Sequence, residues 1–508
     1  MRRSRGIVLG CVLALAVPHV ARAQLRVANH NITNYSSGRV AQFQAIDYGV
    51  FQGRSMSPDV LIVQEMISAA GVTNYLAILN TAPGSTGDWV AAPFISGPDT
   101  NSAMFYRPAK VNFVSAVVFA LGGGAPAPPR DTVRYAWRPI GYVADASTVA
   151  CYSVHMKAQE AGTSDDNRRL LEAQRIRDDA EALPGWHFLM SGDTNIQSDT
   201  ESAYVELVGS QPNNAGRFFD PSHSPGTWNN NGGFKFIHTQ DPVGAGGMDD
   251  RHDQILLSAS LIDGAGLDYI GNAGIAYSTT TWNDPNHSYR AWGNDGTSFD
   301  TQLTVTGNQM VGPTIAQALR DAAPGGGHLP VFLDLRVPPH VASETALDFG
   351  QVPLNGVAQL DLHVSNGGNV ALWTVAGIAD LHYTLAASAG FGVAPPGGTA
   401  APGGGSVTHT VSMDTSTPGV MNGTLTLASD DPDEPARIIP LVGEVLTPSC
   451  QPADANCDTT IDPADVPPFV GLLLGTAPPC GSCAGDMNDD GNRNGDDVQP
   501  FVAAIIGP

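Results

Sequence analysis

The sequence predicts a mixed α/β domain, followed by an all-β sandwich and then a small helical module. Three observations carry this. Over residues 25–337, seven short apolar runs alternate with polar loops and helical stretches, the pattern of one large α/β domain. Over 338–447, aromatic and basic residues thin out, and Val/Thr/Ser/Leu alternations are separated by Gly- and Pro-rich turns, as in a β-sandwich. Over 448–508, an Asp/Asn-rich loop occurs twice, each copy running into a short apolar segment.

At 508 residues the chain exceeds one ordinary domain. Residues 1–23 read as an export signal. Arg2, Arg3 and Arg5 form a basic start, 7–17 an apolar core, and Ala21-Arg22-Ala23 a small-x-small cleavage site, so the mature chain is expected to begin at Gln24. That core is shorter than the ~18 residues a spanning helix needs, and no later stretch is long enough. A secreted, periplasmic or cell-surface protein without a transmembrane segment is expected.

The net charge is −24 and unevenly spread. Residues 340–508 hold 19 acids against Arg437 and Arg493, a balance of −17, which leaves −7 for the remainder. A polyanion meets no general attraction on such a surface. Phosphate binding must then be local, and the acidic tail suits divalent cations.

Core strands are expected over 25–28, 59–63, 103–106, 150–154, 188–190, 254–257 and 330–333. A helix is expected over 168–183, with Leu170, Leu171, Ile176 and Ala180 on its apolar face and Pro184-Gly185 ending it. Nearly every strand has a polar residue at its boundary: Asn31, Glu65, Arg107, His155, Asp193 with Asn195, Asp253, and His328. Solvation alone does not require such a series, whose acids and histidines suit metal-assisted hydrolysis. Its centre is Gly192-Asp193-Thr194-Asn195. If extended backbone runs through it, Asp193 and Asn195 face one spot, a carboxylate that can take a proton beside an amide that can hold an oxyanion. Arg107 is expected to cap its strand, Asp250 and Arg251 to form a surface ion pair, and Cys151 to be a buried thiol.

These motifs, in this order, resemble the endonuclease/exonuclease/phosphatase family, which includes DNase I-like nucleases, sphingomyelinases and inositol-phosphate phosphatases. Arg26-Val-Ala-Asn-His-Asn31 looks like its opening strand, Gln64-Glu65 its metal-binding pair, and His155-Met-Lys-Ala158 its His-x-Lys-Ala. Gly192-Asp193-Thr-Asn195 looks like its Gly-Asp-x-Asn, Arg251-His-Asp253 its Arg-x-Asp, and His328-Leu-Pro-Val331 the end of its Ser-Asp-His-x-Pro-Val. The resemblance implies a DNase I-like α/β two-sheet sandwich over 24–337 and a phosphodiesterase, which the signal segment makes an exported one. Mg²⁺ or Mn²⁺ would sit on Glu65, helped by Asn31. Asp193 would orient and deprotonate water, Asn195 would hold a phosphate oxygen, and His328 would contact the phosphate, oriented by Asp253. His155 would act near the leaving group. The substrate stays open between a nucleic acid and a phospholipid or small phosphoester, because many substrates share the fold.

One departure stands out. The family's Ser-Asp-His reads Gly326-Gly327-His328, so a carboxylate is missing and a weaker or one-metal site on Glu65 is expected. Asp321, nearby in sequence, is a candidate replacement. The competing reading is a non-catalytic binding or assembly protein with a degenerate hydrolase domain.

In 338–447, strands are expected over 359–364 and 423–427. Leu347-Asp-Phe-Gly350 with Val364-Ser-Asn-Gly-Gly368 resembles immunoglobulin-like modules of the ASH or Hydin type, which implies a spacer or adhesion module. In 448–508, oxygen donors stand at loop positions 1, 3, 5, 9 and 12, with a backbone carbonyl at 7: Asp454, Asn456, Asp458, Thr460, Asp462 and Asp465, then Asp486, Asn488, Asp490, Asn492, Asn494 and Asp497. This is an EF-hand calcium loop, and the first copy, with Thr459 where the second has Gly491, is expected to bind Ca²⁺ more weakly. Aspartate at position 12 with one helix per loop resembles a type I dockerin, which implies a cohesin-like partner. Cys450, Cys457, Cys480 and Cys483 favour disulfides over zinc, with three connectivities open.

Overall fold

Period-two alternation sorts the apolar residues of the first domain into separate layers. The computed structural model describes residues 24–159, 162–244, 246–447, 450–476 and 482–507. The expected export signal, 1–23, and Cys480 lie outside the described residues. The strands of the first domain are β1 (Leu25–Tyr35), β2 (Val60–Met66), β3 (Val90–Ala91), β4 (Asn101–Tyr106), β5 (Val111–Ala120), β6 (Thr132–Pro139), β7 (Val149–His155), β8 (His187–Asp193), β9 (Phe218–Phe219), β10 (Asp253–Ser258), β11 (Asp268–Tyr269), β12 (Arg290–Ala291) and β13 (Val331–Arg336). They build one sheet ordered β11-β13-β1-β2-β4-β3, with β12 also on β13, and a second ordered β5-β6-β7-β8-β10-β9.

Val27, Ile62, Leu189, Ile255 and Leu333 turn inward to a core shared by the two sheets. Their strand neighbours turn outward. Ala28, Leu61, Val63 and Phe332 pack under α1 (Val40–Tyr48), α2 (Ala69–Thr81) and α5 (Gly312–Asp321). Met190 and Leu256 pack under α3 (Thr163–Glu181), near α4 (Ser202–Val208). Strands buried on both faces explain why these runs are continuously apolar rather than alternating. The result is a four-layer α/β sandwich.

All seven expected runs fall in strands to within one residue, but the hairpin β5–β6 is additional to them. Its polar outer face, with Arg134 on Asp179 and Arg138 on Asp145, breaks the apolar signal. β1 also runs on past Ala28, because Asn29, His30 and Asn31 are buried strand residues. The helix expected over 168–183 begins earlier, at Thr163. Cys151 is a free, buried thiol.

The first compact unit runs to Pro338 and also takes in Gly368–Ala379, a segment the sequence reading assigned to 338–447. Trp373 is buried in the shared core, Lys110 Nζ donates to Leu372 O at 2.7 Å, and Val337 N donates to Gly377 O. These contacts anchor the segment by a tryptophan whose neighbours are non-local.

The second unit, Pro339–Gly367 with Asp380–Pro508, contains an all-β sandwich of two sheets, with Leu362, Val364, Leu381, Val411, Leu427 and Ile439 between them. The expected strands over 359–364 and 423–427 lie in Gln359–Asn366 and Gly419–Ser429. The last residues form two loops, each leading into a short helix, Val466–Leu473 and Val498–Ile506, whose Phe469 and Phe501 rings stack at 3.6 Å. Cys450 pairs with Cys483, and Cys457 is disulfide-bonded as well. Among the described residues no helix is long and apolar enough to cross a membrane.

Candidate active site

Strand register assembles the site. β7 and β8 are parallel with His155 opposite Asp193, and β8 and β10 antiparallel with Asp253 opposite Asp193. Three side chains of the second sheet therefore share one end. In the first sheet, parallel β1 and β2 bring Asn31 beside Gln64-Glu65, and His328 enters just ahead of β13. Gly192 makes the close strand approach possible, since a Cβ there would lie 1.9 Å from Val154 O.

Asp193 Oδ2 is the hub. Asn31 Nδ2 donates to it at 3.1 Å, and His155 Nε2 and His328 Nε2 lie 3.3 and 3.6 Å away. Asn31 Nδ2 also donates to Glu65 Oε1 at 3.0 Å, so one amide bridges the two acids. Glu65 Oε2 accepts from Asn34 N at 2.7 Å, and His155 Nε2 lies 3.9 Å from Oε1. Glu65 has φ 61, a left-handed conformation that costs a non-glycine residue energy and re-aims the carboxylate at a strand end. His328 Nδ1 meets Asp253 Oδ2 at 2.7 Å.

Burial alone would lower the His328 pKa, but the Asp253 and Asp193 carboxylates overcome it and raise it to about 10. His328 is an imidazolium between two acids. Burial would raise Asp193, yet His328, His155, His252 and the Asn31 hydrogen bond hold it at about 2, an ionised carboxylate. Burial takes His155 down to about 4 against the pull of Asp193, so this ring is neutral at pH 7. A neutral histidine and a charged one thus flank a single carboxylate.

Several expectations need correction. Asp193 and Asn195 do not share an extended strand: β8 ends at Asp193, Asn195 has φ 51, and its backbone N–H donates to Asp193 Oδ1 at 3.2 Å. Asn195 Nδ2 donates to Met156 O at 3.2 Å, so in this arrangement it braces the loop. Asn31 presents its amide nitrogen to Glu65, while its oxygen accepts from Thr33 N at 3.1 Å. Arg251 is not on the surface; it is fully buried and chelates Asp220 at 2.7 and 2.9 Å under Trp228, because a planar guanidinium matches a carboxylate in two bonds. Asp250 accepts instead from Asn229. Arg107 does not merely cap its strand; it pairs with Asp59 and Asp88. Asp321 is exposed at the end of α5, bonded to Gln317, and does not replace the missing carboxylate.

Gly327 stands where the family pattern that the sequence resembles has an aspartate. It has φ 73, and a Cβ would meet Ala323 Cβ at 2.3 Å, so no side chain fits there. Sequence reading missed Asp241 and His252, which stand beside this cluster. The only signal for His252 was its place next to Asp253.

Glu65 is a hard oxygen donor whose carboxylate keeps lone pairs beyond its two hydrogen bonds, which fits Mg²⁺ or Mn²⁺ holding mostly water and phosphate. Among the described residues no three His, Cys, Asp or Glu side chains stand together as a ready metal-holding group.

In the C-terminal loops, Asp454 accepts from Asp458 N and Thr459 N, and Asp486 in the same way from Asp490 N and Gly491 N. Asp465 closes the first loop on Asn456 N and Asp462 N; Asp497 closes the second on Asn488 N and Asn494 N. Asp462 and Asn494 cap the turns that follow. Asn456 and Asn488 donate to Asp458 and Asp490, and Thr460 and Asn492 offer their backbone N–H to the same two acids. The two loops are near-copies in hydrogen bonding.

No family model matches the chain, and no curated protein matches it. Among solved structures it is similar to the human Nocturnin catalytic domain with bound sulfate, at 12% identity over 62% of this chain and 94% of that one, with a TM-score of 0.35. It is similar to an endonuclease/exonuclease/phosphatase family protein from Bacteroides thetaiotaomicron, at 16% identity over 61% and 97%, with a TM-score of 0.35. An ASH/PapD-like domain of human CEP192 matches 21% of the chain and 84% of its own length at 13% identity and a TM-score of 0.18. At such scores the likenesses decide nothing about the chemistry, which rests on the site itself.

Proposed function

We propose that the first domain is an exported, metal-dependent hydrolase of phosphate esters. The observation that carries it is Asp193 Oδ2, an ionised carboxylate met by Asn31, a neutral histidine and an imidazolium, with Glu65 bridged to it through one amide. Asp193 orients a water molecule and takes its proton as attack proceeds. His328, held by Asp253, places positive charge and an N–H toward a phosphate oxygen as negative charge builds there. His155, unprotonated at pH 7, hydrogen-bonds near the leaving oxygen. Glu65, with Asn31 alongside, would hold Mg²⁺ or Mn²⁺, which when bound neutralises phosphate charge.

The test is hydrolysis of bis(p-nitrophenyl) phosphate with Mg²⁺ or Mn²⁺, with and without chelator. Wild type should turn over only with metal, and Asp193→Ala should lose about 10³-fold or more. Turnover that ignores both metal and Asp193 would overturn the assignment and leave the binding-protein reading in its place.

We also infer that the two C-terminal loops bind Ca²⁺. Their oxygen-rich, matching hydrogen-bond pattern supports this, and the region 448–508 has Arg493 as its lone basic residue. The all-β sandwich is read as an immunoglobulin-like spacer.

A further inference from the structure

A second polar wall runs beside the catalytic cluster, built by residues 239–244 and 246–252. Leu329 N donates to Thr239 O at 2.8 Å and Val243 N to Gly326 O at 3.1 Å, so this segment is stitched along the glycines that precede His328. A Cβ on Gly326 would come within 3.3 Å of Asp241 Oδ1; the carboxylate fills the space that glycine leaves. Thr194 N donates to His252 O at 2.8 Å, which ties the far end of the segment next to Asp193.

His252 is 8% exposed, and neither ring nitrogen has a hydrogen-bond partner; Asp241 Oδ1 is buried without one too. Buried polar atoms without a partner give up their hydration with nothing in return. Three of them beside reacting groups point to a ligand that satisfies them.

The wall is also strongly negative. Burial and the neighbouring carboxylates of Asp250, Asp300 and Asp241 push the Asp249 carboxyl up to about 6. Among the described residues none of these four acids has a Lys or Arg ion-pair partner. The one cationic side chain in the segment, Arg251, is taken by Asp220, and His252 Nε2 lies 3.9 Å from Asp250 Oδ1.

We propose that this wall sets substrate choice. It admits a small phosphate ester, whose alcohol side is hydrogen-bonded by His252, and repels a chain carrying further phosphates. The site then takes small esters in preference to polynucleotides. Like charge built against the wrong partner is an established source of specificity. The proposal rests on the hydrolase reading above.

The test uses the full-length protein, wild type and Asp250→Asn/Asp300→Asn, on bis(p-nitrophenyl) phosphate and on a single-stranded DNA oligonucleotide. The small ester should be cleaved equally by both proteins. DNA cleavage by wild type should be slow, rise with salt, and rise roughly tenfold in the double variant. His252→Leu should raise KM for the small ester several-fold while kcat stays within about twofold. DNA rates that fall with salt, or that ignore the double variant, would overturn the charge selection; an unchanged KM in His252→Leu would overturn the contact assigned to that ring. If wild type cleaves neither substrate, the hydrolase reading fails on its own. The wall is then read by fluorescence anisotropy of the labelled oligonucleotide: roughly tenfold tighter binding by the double variant supports repulsion, and equal binding refutes it.

Discussion

Two regions of this protein gather carboxylates, and they balance the charge in opposite ways. In the first domain Asp193 is 2% exposed and ringed by nitrogens of Asn31, His155 and His328, so the protein itself supplies the countercharge. In the C-terminal loops Asp458 and Asp490 are exposed, and Asp454 and Asp486 are met by backbone N–H groups. A buried, pre-paired carboxylate is poised for chemistry, because its surroundings need no reorganisation during reaction. The loop acids are held by the backbone N–H groups of their own turns, and the Ca²⁺ inferred for them above is what would supply their countercharge.

The sharpest way to break this contrast is to remove the countercharge. Asp253→Asn deletes the main carboxylate that keeps His328 protonated, and kcat should fall about 100-fold. The pH dependence has a definite sign. The His328 pKa of about 10 lies above its ordinary 6.5, so its stabilisation is complete below pH 6.5 and is lost as pH rises toward 10. Wild type should therefore lose activity and stability over that alkaline window, and Asp253→Asn should move the loss to lower pH, read by pH–rate profiles and thermal melts. An unmoved alkaline limb would mean that His328 is not held as an imidazolium by this pair.

A smaller effect is expected at Gly327. Placing an aspartate there, as Gly327→Asp, should not strengthen the site. It should destabilise the domain by about 2–4 kcal/mol through the left-handed backbone and the Ala323 collision, measured by urea unfolding. A stable variant with tighter metal binding would refute the steric account. The smallest effect is in the loops. Chelator should lower the melting temperature and helicity of the C-terminal module, and Thr459→Gly should tighten the first loop by about 1 kcal/mol, roughly fivefold, by relieving a left-handed threonine. Calcium titration by circular dichroism reads both.

Much of the architecture is legible along the chain. Apolar runs buried on both faces mark seven strands, and the polar residues bounding all of them but the one before Arg107 mark the candidate site, because both signals are local. Asn31, Glu65, His155, Asp193, Asp253 and His328 come together as those strand ends imply. Arg251 shows the limit: its charge reads as surface, and only Asp220, brought from 31 positions away, lets it be buried. The hairpin β5–β6 escapes for a related reason, since its outward arginines are satisfied by partners on other elements.

What the sequence by itself determined is the order of the elements, the doubled acidic loop and the set of groups available for chemistry. What only the tertiary structure decided is which groups share a site and in which charge state. Asp321, six residues from Gly327, does not come to the site, whereas Asp241, far earlier in the chain, lies against Gly326. Proximity in space is set by backbone stitching and by which side chains fit, and protonation by burial and neighbouring charge. None of these is a property of a residue's place in the chain.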